Sequence, residues 1–202
     1  MIATLRGTLV AKSPTDITVD VNGVGYGVHI PLSTFEKLGD VNSAVFLYTH
    51  LHVREDALQL FGFATEEERG TFRLLLSVNG IGPKMAQGIL SGIPAPEFKS
   101  LVAQGNAAAL TRIPGIGRKI AERLVVELRE KVTRLEEGMP SLAGATDGAA
   151  RIRSEALSAL VALGYNRSVA EKALRTAIQD GNGSDATVEA LIKSALRHAT
   201  NP

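Results

Sequence analysis

The amino-acid sequence predicts an α+β multidomain protein with an N-terminal β-barrel, a helical domain around a duplicated turn, and a C-terminal three-helix bundle. Three observations predict this fold class. Apolar and polar residues alternate with period two over residues 1–63, the period becomes helical from Glu66 onward, and one glycine-containing phrase occurs twice in the helical region. We therefore expect the barrel at 1–63, the helical domain at 64–137, a flexible linker at 138–150 and the bundle at 151–202.

The barrel assignment depends on short alternating segments that are separated by turn residues. Two of these segments flank Asn22-Gly23, a pair typical of two-residue hairpins. The alternating apolar positions are Ile17, Val19 and Val21 before the turn, Tyr26, Val28 and Ile30 after it, and further positions in 45–51 and 57–63. About five short strands in so small a segment favour a compact barrel of the OB type, a fold that commonly binds nucleic acids or protein partners.

The duplicated phrase reads VNGIGPKMA at 78–86 and IPGIGRKIA at 113–121, 35 residues later. Both copies have glycine, isoleucine, glycine, lysine and alanine at matching positions. Glycine accepts a positive φ in a tight turn, and the helix that begins after the turn directs unpaired N–H groups and a partial positive charge outward. Such a turn can hold a phosphate oxygen. The phrase itself resembles the helix-hairpin-helix motif of sequence-independent DNA-binding proteins.

Eight residues at and beyond the two turns are candidates for contact with DNA phosphates rather than bases. They are Gly80, Gly82, Lys84, Gly115, Gly117, Arg118, Lys119 and Arg123. A single turn of this kind is more often structural only, but two aligned copies could hold both strands across a minor groove. Residues 112–134 contain seven basic and three acidic residues, although the net charge of the chain is only +1. We interpret Arg129 and Lys131 as surface charges in i,i+4 pairs.

The composition sets broad limits on function. The chain of 202 residues is 45% hydrophobic and 21% charged, which is ordinary for a globular protein. It has no cysteine, no apolar run of membrane-spanning length, and no leader-like N-terminus. Neither turn continues into the Gly-Lys-Ser/Thr of an ATP-binding loop. We expect a cytoplasmic protein with no cofactor, no metal site and no membrane contact.

Two adjacent carboxylates occupy the probable hairpin tip Arg54-Glu55-Asp56, between the strands that end at Val53 and begin at Ala57. Charged hairpin tips are usually just solvated. Beside a DNA-binding surface, however, the same acids would repel the phosphate backbone and could act as a wedge between strands. They are too few to indicate a metal site.

Residues 138–150 are mostly small and show no periodicity, as in a flexible linker. The three helices expected after it are short. The first ends near Gly164, the second begins at the capping box formed by Ser168 and Glu171, and the third begins at Ser184 or Asp185. A bundle of this size on a loose tether suggests a mobile docking module, and its first helix resembles the start of ubiquitin-associated-type folds.

Taken end to end, the chain resembles the bacterial RuvA family of Holliday-junction branch-migration subunits. The matching phrases are Met1-Ile2, Leu5-Arg6-Gly7, Gly23-Val24-Gly25-Tyr26, Val28-His29, Val53-Arg54-Glu55-Asp56-Ala57, Phe61-Gly62-Phe63, both hairpins, Ala121-Glu122-Arg123-Leu124 and residues 159–165. The resemblance implies a non-catalytic, junction-binding protein of DNA recombination, repair and the SOS response. It also implies a homotetramer, with one or two tetramers on each junction, because four equivalent arms invite four equivalent grips.

The resemblance also assigns roles to residues that the patterns alone leave open. Glu55 and Asp56, with Arg54 beside them, correspond to an acidic pin at the junction centre, and His29 corresponds to a further phosphate contact. The C-terminal bundle is expected to dock a RuvB-type hexameric ATPase, and a RuvC-type junction resolvase is a further partner. Candidate contacts for the ATPase, which could equally be core residues of the bundle, are Leu160, Leu163, Tyr165 and Leu196.

Two other functions are compatible with a paired hairpin. A DNA glycosylase or a structure-selective nuclease could use the hairpins for grip, but it would need an acid or lysine shortly after the hairpin, or clustered carboxylates for a metal. Neither pattern is evident in the sequence. A single-strand binder could be built on the barrel, but residues 1–63 offer few aromatic side chains on which bases could stack.

Overall fold

The structure is a computed structural model that describes residues 1–138, 148–179 and 187–199. The chain divides into two compact units, 1–133 and 134–202. The first unit begins with five strands, which are β1 (Thr4–Lys12), β2 (Asp16–Val21), β3 (Val24–His29), β4 (Ala44–Val53) and β5 (Leu58–Phe63). They close into a barrel in the order β1-β2-β3-β5-β4, which confirms the predicted OB-type barrel.

The pairing within the barrel is antiparallel except between β3 and β5, which are parallel. The predicted turn at Asn22-Gly23 is confirmed, because Val21 pairs with Val24 and both turn residues have positive φ, 52° and 88°. These angles fit the two-residue hairpin whose twist matches that of the strands. A short helix that the sequence analysis did not predict, α1 (Leu32–Phe35), lies between β3 and β4.

Five helices follow the barrel along the chain. They are α2 (Glu66–Leu76), α3 (Pro83–Gly92), α4 (Ala95–Ala103), α5 (Ala107–Leu110) and α6 (Arg118–Gly138). Thr65 caps α2, since its side chain accepts a hydrogen bond from the Glu68 N–H. Phe61 and Phe63 of β5 pack against Phe72 of α2 with ring centroids 5.0 and 4.9 Å apart. The last barrel strand therefore belongs to the core of the helices as well.

A buried carboxylate, Glu68, also joins the barrel to the helices. It is 4% exposed, and its two oxygens accept hydrogen bonds from the Thr34 hydroxyl at 3.0 Å, the Lys37 ammonium at 3.0 Å and the Ala64 N–H at 3.1 Å. A buried charge is costly unless it is paired and hydrogen-bonded. Because its partners lie in α1, just after α1 and directly after β5, this network fixes α2 against the barrel.

The second unit contains α7 (Gly148–Ala162), α8 (Arg167–Ala177) and α9 (Val188–His198). Its core consists of buried small and branched side chains, Ala156, Leu160, Ala170, Ala173, Leu174, Ala177, Leu191 and Ala195. The predicted three-helix bundle is confirmed. No helix among the described ranges is long and apolar enough to cross a membrane.

The predicted boundaries of the bundle helices need correction. The capping box was wrong, because α8 begins at Arg167 after Asn166, so Ser168 lies inside the helix and Glu171 accepts a hydrogen bond from Arg167 instead. The proposed third cap at Ser184 or Asp185 lies outside the described residues, and α9 begins at Val188 after Thr187, whose hydroxyl accepts from the Ala190 N–H. Residues 139–147 of the expected linker also lie outside the described residues. The last three residues of the expected linker, 148–150, belong to α7.

Candidate nucleic-acid interface

The two copies of the duplicated phrase form the same turn, which we call the first turn (78–82) and the second turn (113–117). In each, the leading glycine, Gly80 or Gly115, has φ of +86°. In each, the isoleucine N–H donates to the carbonyl oxygen three residues earlier, at 3.1 Å from Ile81 to Val78 and 3.0 Å from Ile116 to Ile113. The sequence repeat is therefore also a repeat of backbone geometry.

Each turn leads directly into a helix whose N-terminus is available to a ligand. Helix α3 begins at Pro83, and the capping residue Gly82 has no side chain that could occupy the helix start. Helix α6 begins at Arg118, directly after Gly117. The first N–H groups of a helix have no partner within it, and the helix dipole adds positive potential there. Both helix starts therefore offer hydrogen-bond donors suited to an anion.

The basic side chains that follow the turns differ in their surroundings. Lys84 and Lys119, at matching positions of the repeat, are both exposed. Arg118 is exposed as well, but its guanidinium donates to the Glu122 carboxylate at 2.8 Å, and this hydrogen bond, with the charge of Glu122, raises the pKa of Arg118. Lys84 and Lys119 are therefore alike in their exposure, whereas Arg118 is held by Glu122.

Arg123 and Lys131 of α6 reach toward the first turn. The Arg123 guanidinium donates to the Asn79 carbonyl at 2.9 Å, and the Lys131 ammonium donates to the Ser77 hydroxyl at 2.9 Å. Our interpretation of Lys131 as one member of an i,i+4 surface pair was therefore wrong. Its partner is 54 residues away because α6 packs beside the end of α2.

The barrel is attached to the first turn through two side chains of α3 that the sequence analysis missed. Gln87 donates to the Ile30 carbonyl at 2.7 Å and to the Thr15 carbonyl at 3.2 Å, and the Ser91 hydroxyl accepts from the Leu32 N–H at 3.0 Å. A polar residue on a helix gives no sequence signal for a backbone partner on a distant strand. These bonds place α3 against the barrel at the end of β3.

His29 lies at this same end of β3. Its Nδ1 contacts the carboxylate of Asp16 on β2, and its ring lies 5.2 Å from the ring of Phe61. A hydrogen bond from Thr15 and the contact with His29 lower the pKa of Asp16. Since Ile30 is the residue that Gln87 binds, His29 is adjacent in the chain to the attachment point of α3.

The acidic residues lie where the sequence predicts, at the tip between β4 and β5. Arg54, Glu55 and Asp56 are all exposed, and the Arg54 N–H closes the tip by donating to the Ala57 carbonyl at 2.9 Å. Val53 and Leu58, which pair across the two strands below the tip, are 63% and 72% exposed. The hairpin therefore carries its charge on an apolar, solvent-facing base.

The four candidates for partner docking are not equivalent. Leu160 is completely buried in the bundle, and Tyr165 and Leu196 are half-buried against its core. Leu163 is 60% exposed at the end of the first bundle helix, next to Gly164 with φ of +98°. Of the four, Leu163 presents the most apolar surface to a partner.

The barrel and the paired glycine turns together define a tandem helix-hairpin-helix protein of the class that binds DNA through its backbone. Comparison with known proteins agrees with this class and narrows it. Residues 1–62 match the RuvA N terminal domain, 72–130 match the SAM-like helix-hairpin-helix tandem, and 151–199 match the RuvA C-terminal domain.

Full-length relatives are equally consistent. The chain is 49% identical to the Holliday junction branch migration complex subunit RuvA of Geotalea daltonii and 48% identical to that of Geobacter sp. strain M21, over 98% of both chains in each case. It is 46% identical to the protein of the same name from Methylococcus capsulatus, over 98% of this chain and 100% of that one. The chain belongs to the RuvA family. These relatives support the junction-binding interpretation and not the glycosylase or nuclease alternative.

Proposed function

We propose that this protein is the non-catalytic subunit that binds Holliday junctions, holds them open and recruits an ATP-driven motor for branch migration. The observation that carries this proposal is the pair of turns with identical glycine φ, each followed by a helix start and an exposed lysine. Two equal anion sites in one compact unit suit two phosphates of one DNA arm better than a small ligand or a single anion.

In this proposal the DNA backbone is held by both turns and by the basic side chains beyond them. Gly80, Gly82, Gly115 and Gly117 let the phosphate approach the backbone N–H groups, and Lys84 and Lys119 add full charges. Arg118 and His29 extend the same contact surface, and Arg123 lies at its edge, beside the first turn. Contacts of this type position the DNA without reading its sequence, as a junction of arbitrary sequence requires.

The acidic hairpin tip supplies selectivity in the proposal. Glu55 and Asp56, with Arg54 beside them, act as a pin that repels the phosphates of a continuous duplex and fits the open centre of a junction. Like charges brought close together repel, and the repulsion strengthens as water is excluded from between them. The pin therefore penalises the wrong substrate more than it attracts the right one.

Assembly and partners complete the proposal. Four copies arranged with fourfold symmetry would place one pair of turns on each arm and four pins at the centre. The barrel at 1–63 and the helical domain at 64–137 would hold DNA, and the bundle at 151–202 would dock a RuvB-type hexameric ATPase. Exposed Leu163 is the leading docking contact. A RuvC-type resolvase would act on the same junction.

A competition gel shift tests the proposal. The full chain is bound to a labelled four-way junction at fixed salt and competed with linear duplex and single strand of the same sequences. We expect clear preference for the junction. The double variant Lys84→Ala with Lys119→Ala should bind more weakly and show a flatter salt dependence, because fewer counterions are released.

The matched control is Lys172→Ala with Lys193→Ala, which removes two exposed lysines of the bundle. It should change neither affinity nor salt dependence. Equal binding of the wild type to all three DNA forms would contradict junction recognition. An unchanged salt dependence in the double lysine variant would contradict the phosphate role of the turns.

A further inference from the structure

Arg123 belongs to the helix of the second turn but contacts the first turn. Its Nη1 donates to the Asn79 carbonyl at 2.9 Å, across 44 residues of sequence. A β-carbon built on Gly80 would lie 3.3 Å from the same nitrogen, so the guanidinium also lies close to the residue that carries the positive φ. The peptide that leads into the first turn is thus held by a charged donor from another helix.

A second bond on α6 supports the same contact. Lys131 donates to the Ser77 hydroxyl at 2.9 Å, and that hydroxyl donates to the Leu74 carbonyl at 2.7 Å at the end of α2. Residues eight apart share a face of a helix. One face of α6 therefore holds both the end of α2 and the first turn that follows it.

The repeat shows that this contact is not reciprocal. The position that matches Arg123 in the first copy, 35 residues earlier, is Gly88, and the space where its side chain would lie is open. The position of α3 that matches Arg123 therefore has no side chain that could hold the second turn in the same way. Arg123 therefore holds the first turn, and no side chain at the matching position holds the second turn.

We infer that Arg123 is a positioning residue that fixes the first turn against the helix of the second, so that the two phosphate sites have a set spacing before DNA binds. Its contribution to DNA binding passes through the first turn. Fixing the geometry in advance lowers the ordering cost of binding and favours backbones whose phosphates match the spacing. The DNA half of this inference rests on the proposed function, and the structural half does not.

A DNA-free experiment tests the structural half. Amide hydrogen exchange is compared at Ile81 and Ile116, whose N–H groups make the equivalent bond in the two turns. In Arg123→Ala, exchange at Ile81 should be about fivefold faster, the effect of losing one hydrogen bond that restrains a local opening. Exchange at Ile116 should not change. Equal acceleration at both amides, or none at Ile81, would overturn the inference.

The matched control for this experiment is Arg118→Ala. It removes the same type of charge from the same helix, but the bond that Arg118 makes within the described part of the chain lies inside α6, to Glu122. Both amides should exchange at the wild-type rate in this variant. Faster exchange at Ile81 in Arg118→Ala would show that charge on α6, rather than the Asn79 contact, protects the first turn, and would overturn the inference.

A double-mutant cycle tests the DNA half by junction affinity. If Arg123 acts through the first turn, Lys84→Ala should weaken binding by a smaller factor in the Arg123→Ala background than in the wild type, whereas Lys119→Ala should weaken it equally in both. Full additivity with both lysines would make Arg123 an independent phosphate contact and overturn the inference. If exchange at Ile81 were faster in Arg123→Ala but the wild type showed no preference for the junction, only the proposed function would be contradicted.

Discussion

At the scale of single residues, one backbone angle defines both the first turn and the second turn. Gly80 and Gly115 share φ of +86°, a conformation that any residue with a β-carbon adopts at a cost. The surroundings of the two differ, because a β-carbon at Gly115 would meet nothing within 4 Å, whereas one at Gly80 would meet the Arg123 guanidinium at 3.3 Å. The same substitution therefore tests two effects at two positions.

We predict that Gly115→Ala lowers the free energy of unfolding by about 1–2 kcal/mol, the cost of the left-handed conformation. Gly80→Ala should lower it further, because the added methyl group also displaces Arg123 from Asn79. Urea unfolding of each variant measures both effects.

The control for the glycine variants is Gly88→Ala. Gly88 lies within α3 at an open position, so alanine there should raise the free energy of unfolding by about 1 kcal/mol through helix propensity. If Gly115→Ala were as stable as the wild type, the positive φ would not constrain the second turn. If Gly80→Ala and Gly115→Ala lost equal stability, the contact with Arg123 would carry none of it.

The two glycine turns could be predicted from sequence, but the partners of Arg123, Lys131 and Gln87 could not. Helical spacing reports neighbours three or four residues away, so it suggests Glu127 for both Arg123 and Lys131. The observed partners are backbone or hydroxyl oxygens that lie 44, 54 and 57 residues away in the sequence. Only packing brings them together.

At the scale of elements, sequence signals were reliable where a residue type has a strong backbone preference. The Asn22-Gly23 turn and the alternating strands follow from such preferences, and both are present. The start of α8 was misplaced because Ser168 and Glu171 have the spacing of a capping box, while the helix begins after Asn166. Serine, asparagine and aspartate are almost equivalent before a helix, so a pattern alone does not choose between adjacent candidates.

The acidic hairpin between β4 and β5 can be tested as a single element. Replacing both tip acids, Glu55→Gln with Asp56→Asn, should increase affinity for linear duplex, because repulsion of a continuous backbone is removed. Affinity for the four-way junction should change much less, so the preference for the junction should fall. Titration of both DNA forms at the same low salt measures this ratio.

A matched control removes two exposed carboxylates elsewhere in the same barrel, Glu36→Gln with Asp40→Asn. It makes the same change in net charge and should leave the ratio between junction and duplex nearly unaltered. Duplex affinity that rose equally in both double variants would reflect net charge alone, and the pin would then have no role of its own.

At the scale of the whole molecule, the barrel and the paired turns behave as one compact unit. The buried Glu68 network attaches α2 to the barrel, and Gln87 attaches α3 to the end of β3. The acidic hairpin and the two turns therefore lie on one frame. Apolar periodicity predicted the barrel and the helices but not how they attach to each other. Glu68 lies in the first turn of α2, where an acidic residue is ordinary, so the sequence does not show that it is buried.

The division into two compact units predicts that DNA binding and motor recruitment can be lost separately. A chain that ends at Gly138, the last residue of α6, should keep the junction affinity of the full chain but should no longer stimulate junction-dependent ATP hydrolysis by a RuvB-type motor. The full chain with Lys84→Ala and Lys119→Ala should show the reverse. It should still bind the motor, but its affinity for the junction should be lower. Gel shift measures junction affinity, and co-sedimentation with an ATPase assay measures motor recruitment.

If the shortened chain lost junction affinity, the bundle would take part in DNA binding. If it still stimulated the motor, the docking surface would lie on the barrel or the paired turns.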